Sequence, residues 1–536
     1  MIKKALDNLI TKISEIEHAD EQTLKKLKLD TAKKYRIDTP RNEAIRNRYN
    51  QLLKAGKLKA DQRLENLLIQ KKVRSLSGVS VVAVLTKPYA CKNNCLYCPD
   101  EQGMPKSYLS NEPAVMRAIR LGFRPFKQVQ KRIEILQYNG HDTSKIELIV
   151  MGGTFAHLPK KYQFWFVANC YRAANVWANK GKKQIPLSLS FEQIKKKLEL
   201  EKTANITAAK RIVGLTLETR PDTLDLKELL KYREMGTTRI EIGVQSIFNR
   251  NLKKSQRGHG VQATKQATKL MKDLGYKINY HMMPGLPGWT EKKDLEMFKQ
   301  LFHKQDFQPD MLKIYPCVVV ANAPLYRLWR RGKYRPYTNE KLESLLLKIK
   351  KMIPEYVRIT RLIRDIPTVS IKAGPDIPNL RQKLKSRKIQ CCCIRCREVG
   401  RFAKIDNEKI KIERIDYQAS GGKEIFLQAV SGKNKKLHAF LRLRKPGQAL
   451  IKELQACSII RELHSYGKVA PIGKTEKHTS QHKGLGKQLI KKAEKITKQE
   501  FGLNRIAVIA AWGTIAYYRK AGFRLKKLYM VKNLSR

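Results

Sequence analysis

Three cysteines at short intervals, Cys91, Cys95 and Cys98, stand in the run CKNNCLYCP at 91–99. Thiolates this close in sequence can meet one metal centre from a single tight loop. A 4Fe–4S cluster is normally held by four thiolates. Three leave one iron open, and an open coordination position marks a centre that does chemistry, as it does for catalytic zinc. The competing reading is a structural zinc knuckle, for which no fourth ligand is evident. A second group, Cys391, Cys392, Cys393 and Cys396, lies far downstream. Neighbouring side chains diverge, so Cys391, Cys393 and Cys396 are the usable set, with Cys317 as the candidate fourth ligand of a structural zinc. A second iron–sulfur cluster and a set of reduced free thiols are the alternatives. Cys170, Cys317 and Cys457 stand alone, and clustering of this kind in a cytosolic chain points to metal rather than to disulfides.

The elements that must position these residues are legible as short apolar runs between longer helical stretches. The runs Val79–Leu85, Ile146–Met151, Ile212–Leu217, Ile240–Val244, Ile278–Met282 and Met311–Tyr315 alternate with helical patterns, which implies a parallel sheet. Units of this number suggest an open or partial barrel, with chemistry at the carboxyl ends of its strands. The polar residues there fit the rule: Cys91 after the first run, Gly152, Gly153 and Thr154 after the second, Glu218 after the third, Gln245 after the fourth, and His281 in the fifth.

A chain of 536 residues is too long for one compact core. We divide it into a basic helical extension (1–74), the strand–helix region (75–340), a basic connector ending in the second cysteine group (341–400) and a small α/β domain (401–536). Thr39-Pro40 reads as a break between helices of the extension, which could be an RNA-contacting element or a solvated helical hairpin. No run of 18 or more apolar residues predicts a membrane span. The first twenty residues mix Lys with Asp and Glu and do not read as a signal peptide. The expected location is the cytoplasm, with no membrane partner. Lys plus Arg number 110 against 47 Asp plus Glu, a formal charge of +63. An excess this large implies a polyanionic partner such as nucleic acid. Lys-rich surfaces adapted to salt or heat are the alternative, although heat adaptation usually enriches Glu alongside Lys.

The CxxxCxxC spacing of Cys91, Cys95 and Cys98 resembles the signature of radical S-adenosylmethionine enzymes. That resemblance implies a 4Fe–4S cluster whose open iron binds S-adenosylmethionine and whose electron yields a 5′-deoxyadenosyl radical. Gly152 and Gly153 then suit a turn approaching the methionine amino group. Glu218 and Gln245 are candidates for hydrogen bonds to the ribose or methionine part, the alternative being a polar barrel interior. Near the end, Gln481-His482-Lys483-Gly484-Leu485-Gly486 precedes an amphipathic helix. It resembles the acetyl-CoA loop of GNAT-fold acetyltransferases, where backbone N–H groups at a helix N-terminus receive a pyrophosphate. The string RELHSYG at 461–467 resembles the strand that pairs with the pantetheine arm. The run Ala516 to Phe523 resembles the GNAT ending, with a tyrosine facing the thioester sulfur.

Taken together the chain resembles the catalytic subunit of Elongator in its stand-alone bacterial or archaeal form, over about 75–536. The strings that carry this are ELIVMGGTF (147–155), LTLETRPD (215–222), HMMPGLPG (281–288), LKIYP (312–316), IRCREVG (394–400), LRLR (441–444), RELHSYG and YYRK (517–520). The implied fold is α/β: a partial (β/α)6 radical barrel followed by a GNAT domain. The implied activity is tRNA wobble-uridine modification. The adenosyl radical takes a hydrogen from the acetyl methyl group, the carbon radical adds to carbon-5 of uracil, and oxidation with thioester hydrolysis leaves a carboxymethyl group. An anticodon loop offers the base without helix melting. By this resemblance Cys91, Cys95 and Cys98 hold the cluster and Lys160 contacts acetyl-CoA. Glu462, Leu463, His464, Ser465, Gln481, His482, Lys483, Gly484, Gly486, Tyr517 and Tyr518 line the acetyl-CoA path, with Tyr518 at the sulfur. Asp100-Glu101 stands where the family usually has glycines, and Ala511-Trp512-Gly513 replaces a small-residue run, which places the loop beside the adenine and the CoA pocket in question. A homodimer is compatible with the chain, and no segment marks a site for other Elongator-type subunits. The competing functions are a protein lysine acetyltransferase using only the GNAT part, another radical RNA enzyme such as a methyl- or methylthio-transferase, and an RNA-binding scaffold with a structural cluster.

Overall fold

The structure is a computed structural model. It describes the chain except residues 70–75, 178–180, 182, 378, 388–389, 403–408, 468–483 and 535–536. Four helices come first, α1 (Ile2–Glu15), α2 (Glu21–Tyr35), α3 (Asn42–Lys54) and α4 (Gln62–Leu67). Asp20 and Asp61 cap α2 and α4 by accepting backbone N–H bonds. Leu9, Ile10, Ile45, Tyr49 and Leu64 bury into a core of their own. This is a small packed unit rather than a solvated hairpin, and Thr39-Pro40 separates α2 from α3 as expected.

The six predicted apolar runs are strands β1 (Ser80–Leu85), β2 (Lys145–Met151), β3 (Arg211–Thr219), β4 (Arg239–Gln245), β5 (Lys277–Met282) and β6 (Met311–Ile314). They lie side by side in chain order, all parallel. The short strand β7 (Val319–Val320) leaves the sheet. The next, β8 (Arg358–Arg361), joins it beside β6 in parallel, and β9 (Ile371–Ala373) pairs β7. The expected barrel of six strands therefore has a seventh, supplied from within the segment read as a connector. Its run RITR is short and half polar, so it lacks the apolar signature of a buried strand. Crossover helices cover the sheet, with starts set by local chemistry. Ser190 and Gln193 form a capping box on the helix Phe191–Asn205, and Asp225 caps Leu226–Glu234.

The C-terminal sheet runs β10 (Lys411–Ala419), β11 (Gly422–Ser431), β12 (Lys436–Lys445), β13 (Cys457–Ser465), β14 (Arg505–Val508), β16 (Tyr529–Asn533), β15 (Arg524–Lys526). All its pairs are antiparallel except β13 with β14. That parallel pair lasts only from Cys457 to Ile460. Beyond it β13 keeps β12 on one edge, and no strand among the described residues takes the other.

One continuous apolar core runs through both sheets, and a buried set of charges joins them. Arg461 of β13 donates to Asp310 at 2.5 and 3.0 Å and to Glu424 at 3.0 Å. Arg444 of β12 reaches Asp273 at 2.6 Å and Glu424 at 3.0 Å. Arg442 holds Glu462 at 2.9 Å and donates to the Tyr356 carbonyl at 2.7 Å. These arginines and acids are almost wholly excluded from solvent. Asp310 precedes β6 and also accepts from the Ile278 amide of β5 at 2.9 Å. Burial opposes its charge, but Arg461, Lys272 and Arg442 hold its carboxyl well below the usual carboxylate range.

A carboxylate whose pKa is depressed by folding stabilises the native state above its unfolded value, about 3.9, and loses that contribution as pH falls through the folded value. Replacing Asp310 by Asn strips a buried arginine of its partner and is expected to lower stability by about 3–5 kcal/mol at neutral pH. Denaturant midpoints across pH check this: the gap between wild type and Asp310→Asn should be full at neutral pH and shrink at strongly acidic pH.

Candidate active site

The loop after β1 is fixed by backbone bonds to distant segments. The Leu96 amide donates to the Ser255 carbonyl at 3.1 Å, the Leu325 amide to the Leu96 carbonyl at 2.8 Å, and the Asp100 amide to the Asn322 carbonyl at 2.8 Å. Cys91, Cys95 and Cys98 thereby line one cavity of about 1150 Å³. Cys95 is buried between two guanidiniums, with Arg257 Nη1 at 3.5 Å and Arg220 Nη1 at 3.7 Å from its sulfur. Burial alone would raise its pKa, but Arg257 and Arg220 outweigh that and bring the thiol below its ordinary value. Arg220 is clamped by Asp222 at 2.9 and 3.0 Å and by the Arg257 carbonyl at 2.8 Å. Burial and the neighbouring Cys95 push the Cys98 thiol up to about 12.

The donor chemistry of this triad suits a cluster better than a lone ion. Ligands of one tetrahedral zinc, at about 2.3 Å each, sit within about 4 Å of one another. Among the described residues, the group of three His, Cys, Asp or Glu ligands converging that tightly, within 4.8 Å, is Cys391, Cys393 and Cys396 and not the loop triad. Three spread thiols around a roomy cavity fit a body larger than one ion.

The carboxyl ends of the strands meet the same cavity. Gly152 has φ +133°, and a Cβ there would lie 2.0 Å from Thr86 Oγ1, so only glycine allows this approach. Gly153 also has positive φ and lines the cavity. Glu218 accepts from the Tyr108 hydroxyl at 2.7 Å. Gln245, at the end of β4, is held at φ +66° with its buried Oε1 unpartnered by protein. A strained non-glycine residue with an unmet acceptor facing a cavity is a mark of a ligand site. His281 Nε2 lies 3.0 Å from Glu241, its Nδ1 3.8 Å from Glu218, and Lys313 pairs with Glu241. Burial and then Lys313 lower the His281 pKa, so it is a neutral imidazole beside the Glu241 carboxylate, whose pKa Lys313 and His281 hold far down against burial.

The far wall is β13. Its alternation divides the predicted CoA residues between two faces. Glu462, His464 and Tyr466 line the cavity shared with the cysteines. Glu462 is engaged by Arg442 and, at 3.7 Å, by Lys277, and His464 Nε2 lies 2.8 Å from the Ser77 carbonyl. Leu463 lies on the opposite side, near Gly486, where an added Cβ would meet Tyr517 at 2.7 Å and Leu463 at 3.9 Å. Ser465 ends the strand on that alternation. Gly484, at φ +67°, opens the helix Leu485–Gln499. Tyr517 is half exposed against Gly486, while Tyr518 is buried and packs edge-on to Tyr517 and Phe523. Gln481, His482 and Lys483 lie outside the described residues. Lys160 stands apart from the cavity, with its ammonium 4.6 Å from the Phe191 ring.

One expectation is corrected, and two departures from the family pattern find structural roles. Cys317 does not join Cys391, Cys393 and Cys396. It is buried in an apolar cluster with Leu286, Val319 and Tyr334, where its amide donates to the Pro284 carbonyl at 2.9 Å. Trp512 and Gly513 pack on the barrel, with Lys202 4.5 Å over the Trp512 ring and Gly513 close to the Ile212 carbonyl. Asp100 binds Lys106 at 2.5 Å, so the departure from glycine anchors a cavity-lining lysine. Sequence reading also missed Arg257, Tyr108, Glu241 and Lys313 as partners of the site. The RGHG run at 257–260 was the visible signal for Arg257: Gly258, at φ +82°, lets this turn close onto Asn93 of the cysteine loop.

Comparison with known proteins agrees with this geometry. Residues 86–301 match the Radical SAM superfamily and 309–389 match the Radical SAM C-terminal domain. The second match includes β8, the strand that sequence reading assigned to a connector. A tRNA uridine(34) acetyltransferase from Methanocaldococcus infernus is 39% identical over 100% of this chain and 99% of its own length. Elongator complex protein 3 from Homo sapiens is 37% identical over 97% of this chain and 94% of its own. The solved structure of the archaeal Methanocaldococcus infernus Elp3 with an N-terminal deletion superposes with a TM-score of 0.73 and 39% identity, covering 86% of this chain and 100% of that one.

Arg257→Gln removes the stronger of the two charges on Cys95. In cluster-free protein it is expected to raise the Cys95 pKa, so that thiolate ultraviolet absorbance at mildly alkaline pH falls relative to wild type. An unchanged titration would dissociate Arg257 from the thiol.

Proposed function

The chain belongs to the family of Elongator complex protein 3 and the tRNA uridine(34) acetyltransferases, and on that premise we propose that it adds a carboxymethyl group to carbon-5 of the wobble uridine of tRNA. The observation that carries this is the single cavity lined at one end by Cys91, Cys95 and Cys98 and at the other by Glu462, His464 and Tyr466 of the acetyltransferase-type sheet. A radical made at the loop therefore shares a space with the Glu462–His464 face of the strand along which the acyl carrier is proposed to bind. A lysine acetyltransferase would need no such connection.

Membership of the Radical SAM superfamily implies a 4Fe–4S cluster and S-adenosylmethionine. Cys91, Cys95 and Cys98 would hold the cluster, which when bound supplies the electron that turns S-adenosylmethionine into a 5′-deoxyadenosyl radical. The rest is the work of this chain's own residues. Arg257 and Arg220 lower the pKa of the Cys95 thiol against its burial. Gly152 and Gly153 admit the substrate's polar end close to backbone, and Gln245 Oε1 offers it an acceptor. Tyr108 fixes Glu218 on the cavity wall. His281, neutral and oriented by Glu241, presents Nδ1 to the cavity as the base for the proton that leaves carbon-5. Acetyl-CoA fits the C-terminal sheet: Gly484 and Gly486 start the helix Leu485–Gln499, and the open edge of β13 leaves backbone groups for the pantetheine arm. Tyr517 and Tyr518 close that side. Lys160 remains a proposed acetyl-CoA contact outside the cavity. Cys391, Cys393 and Cys396 are proposed to hold a structural zinc, with the fourth position not filled by Cys317. A cytoplasmic location is proposed, in keeping with a tRNA substrate.

Reconstituted anaerobically with tRNA, S-adenosylmethionine and acetyl-CoA, the protein should yield carboxymethyl-modified uridine by nucleoside mass spectrometry. Unmodified uridine with a full cluster refutes the proposal, and Cys95→Ala should give no product. His281→Phe should slow turnover by about 10²-fold or more with the cluster spectrum intact. Metal analysis should find one zinc per chain in wild type and none in Cys393→Ser.

A further inference from the structure

The cavity wall facing β13 carries arginines in excess of the acids around them. Arg358 belongs to β8, Arg381 to the helix Leu380–Ser386, Arg395 to the turn between the cysteines, and Arg401 follows it; all four line the cavity. Glu398 is the carboxylate among them, and both its oxygens are taken, Oε1 by Arg358 and Oε2 by Arg401 at 2.8 Å. Arg358 also donates to the Tyr466 hydroxyl at 2.9 Å. Arg381 and Arg395 have no carboxylate partner among the described residues. Each donates to a backbone carbonyl of β8, Arg381 to Ile359 at 3.2 Å and Arg395 to Thr360 at 3.1 Å. The Nε of Arg395 is buried with no hydrogen-bond partner among the described residues.

Four guanidiniums against one carboxylate leave a surplus of three positive charges. A zinc held by three thiolates beside them would carry one net negative charge and still leave two. Buried cations held apart from acids are costly unless an anion completes them. Guanidinium forks match phosphate oxygens. We propose that Arg358, Arg381, Arg395 and Arg401 form a seat for a backbone phosphate of the RNA whose base enters the cavity. This deepens the reading of a tRNA substrate and rests on it. Of the two phosphate sources, RNA fits the position and CoA does not. The candidate cradle for the CoA diphosphate, Gly484 to Gly486, lies with Leu463 on one face of β13, whereas Glu462, His464 and the arginines share the other. A base inserted toward the cysteines draws its own phosphodiester along this wall.

The test compares wild type with R381Q, R395Q and the lysine replacements R381K and R395K, in the full chain. The probes are an anticodon stem-loop RNA and, separately, acetyl-CoA, each titrated over a salt series. The expected result is RNA binding weaker by about 10-fold for each glutamine variant, with the slope of log affinity against log salt shallower by about 1 per lost contact. Lysine should restore most of the affinity, and acetyl-CoA affinity should be unchanged. RNA affinity and slope equal to wild type would overturn the assignment, and so would a loss confined to acetyl-CoA. R381Q alone carries the test should R395Q fail to fold. If wild type makes no modified uridine while these variants still weaken RNA binding, the function reading falls and the phosphate seat stands.

Discussion

The buried charges between the two sheets are the constraint on which the rest depends. Arg461, Arg442 and Arg444 reach out of the C-terminal sheet to Asp310 and Asp273 of the barrel, with Glu424 and Glu462 completing the set. Such a network is no better for stability than apolar packing would be, because desolvation offsets most of its attraction. Its value is geometric. Paired guanidiniums accept few orientations, so β13 lies across the amino ends of the barrel strands in one register. Only then do Glu462 and His464 share a cavity with Cys91, Cys95 and Cys98.

Charge is graded across that cavity. At the cysteine end two guanidiniums face Cys95, which favours thiolates and any anionic body they hold. In the barrel interior the ladder of Glu147, Arg239, Glu241, Lys313 and His281 is internally paired. On the wall facing β13, Arg381 and Arg395 have no carboxylate partner among the described residues and bond only to carbonyls of β8. The overall charge of +63 draws a polyanion to the surface, but this local imbalance decides where inside the protein a phosphate can rest.

Much of the site was legible from sequence, for identifiable reasons. The cysteine loop is local, and ligand spacing within one turn survives whatever the rest of the chain does. The six apolar strands were found within a residue or two because a parallel strand buried on both faces reads as an apolar run. The seventh strand, RITR, was missed because two of its four residues are arginines engaged with Glu398 and Asp365. Cys317 was misassigned because sequence cannot tell that the chain beside Pro284 seats it in an apolar cluster. Trp512 looked like a change in a cofactor pocket and is a contact between domains.

Sequence by itself determined the chemistry available: three clustered thiols, glycines where backbone must approach a ligand, a glycine-rich helix start, and a surplus of positive charge. These are properties of residue type and short spacing. Only tertiary structure decided which groups act together. It set Arg257 on Cys95, split the RELHS residues between two faces of β13, and gathered four arginines around one glutamate. Such groupings arise from strand alternation and long-range ion pairing, which join residues far apart in the chain and leave no mark in local composition. The opening cysteine loop is thus readable alone, but its connection to the C-terminal sheet exists only because buried arginines hold the two sheets together.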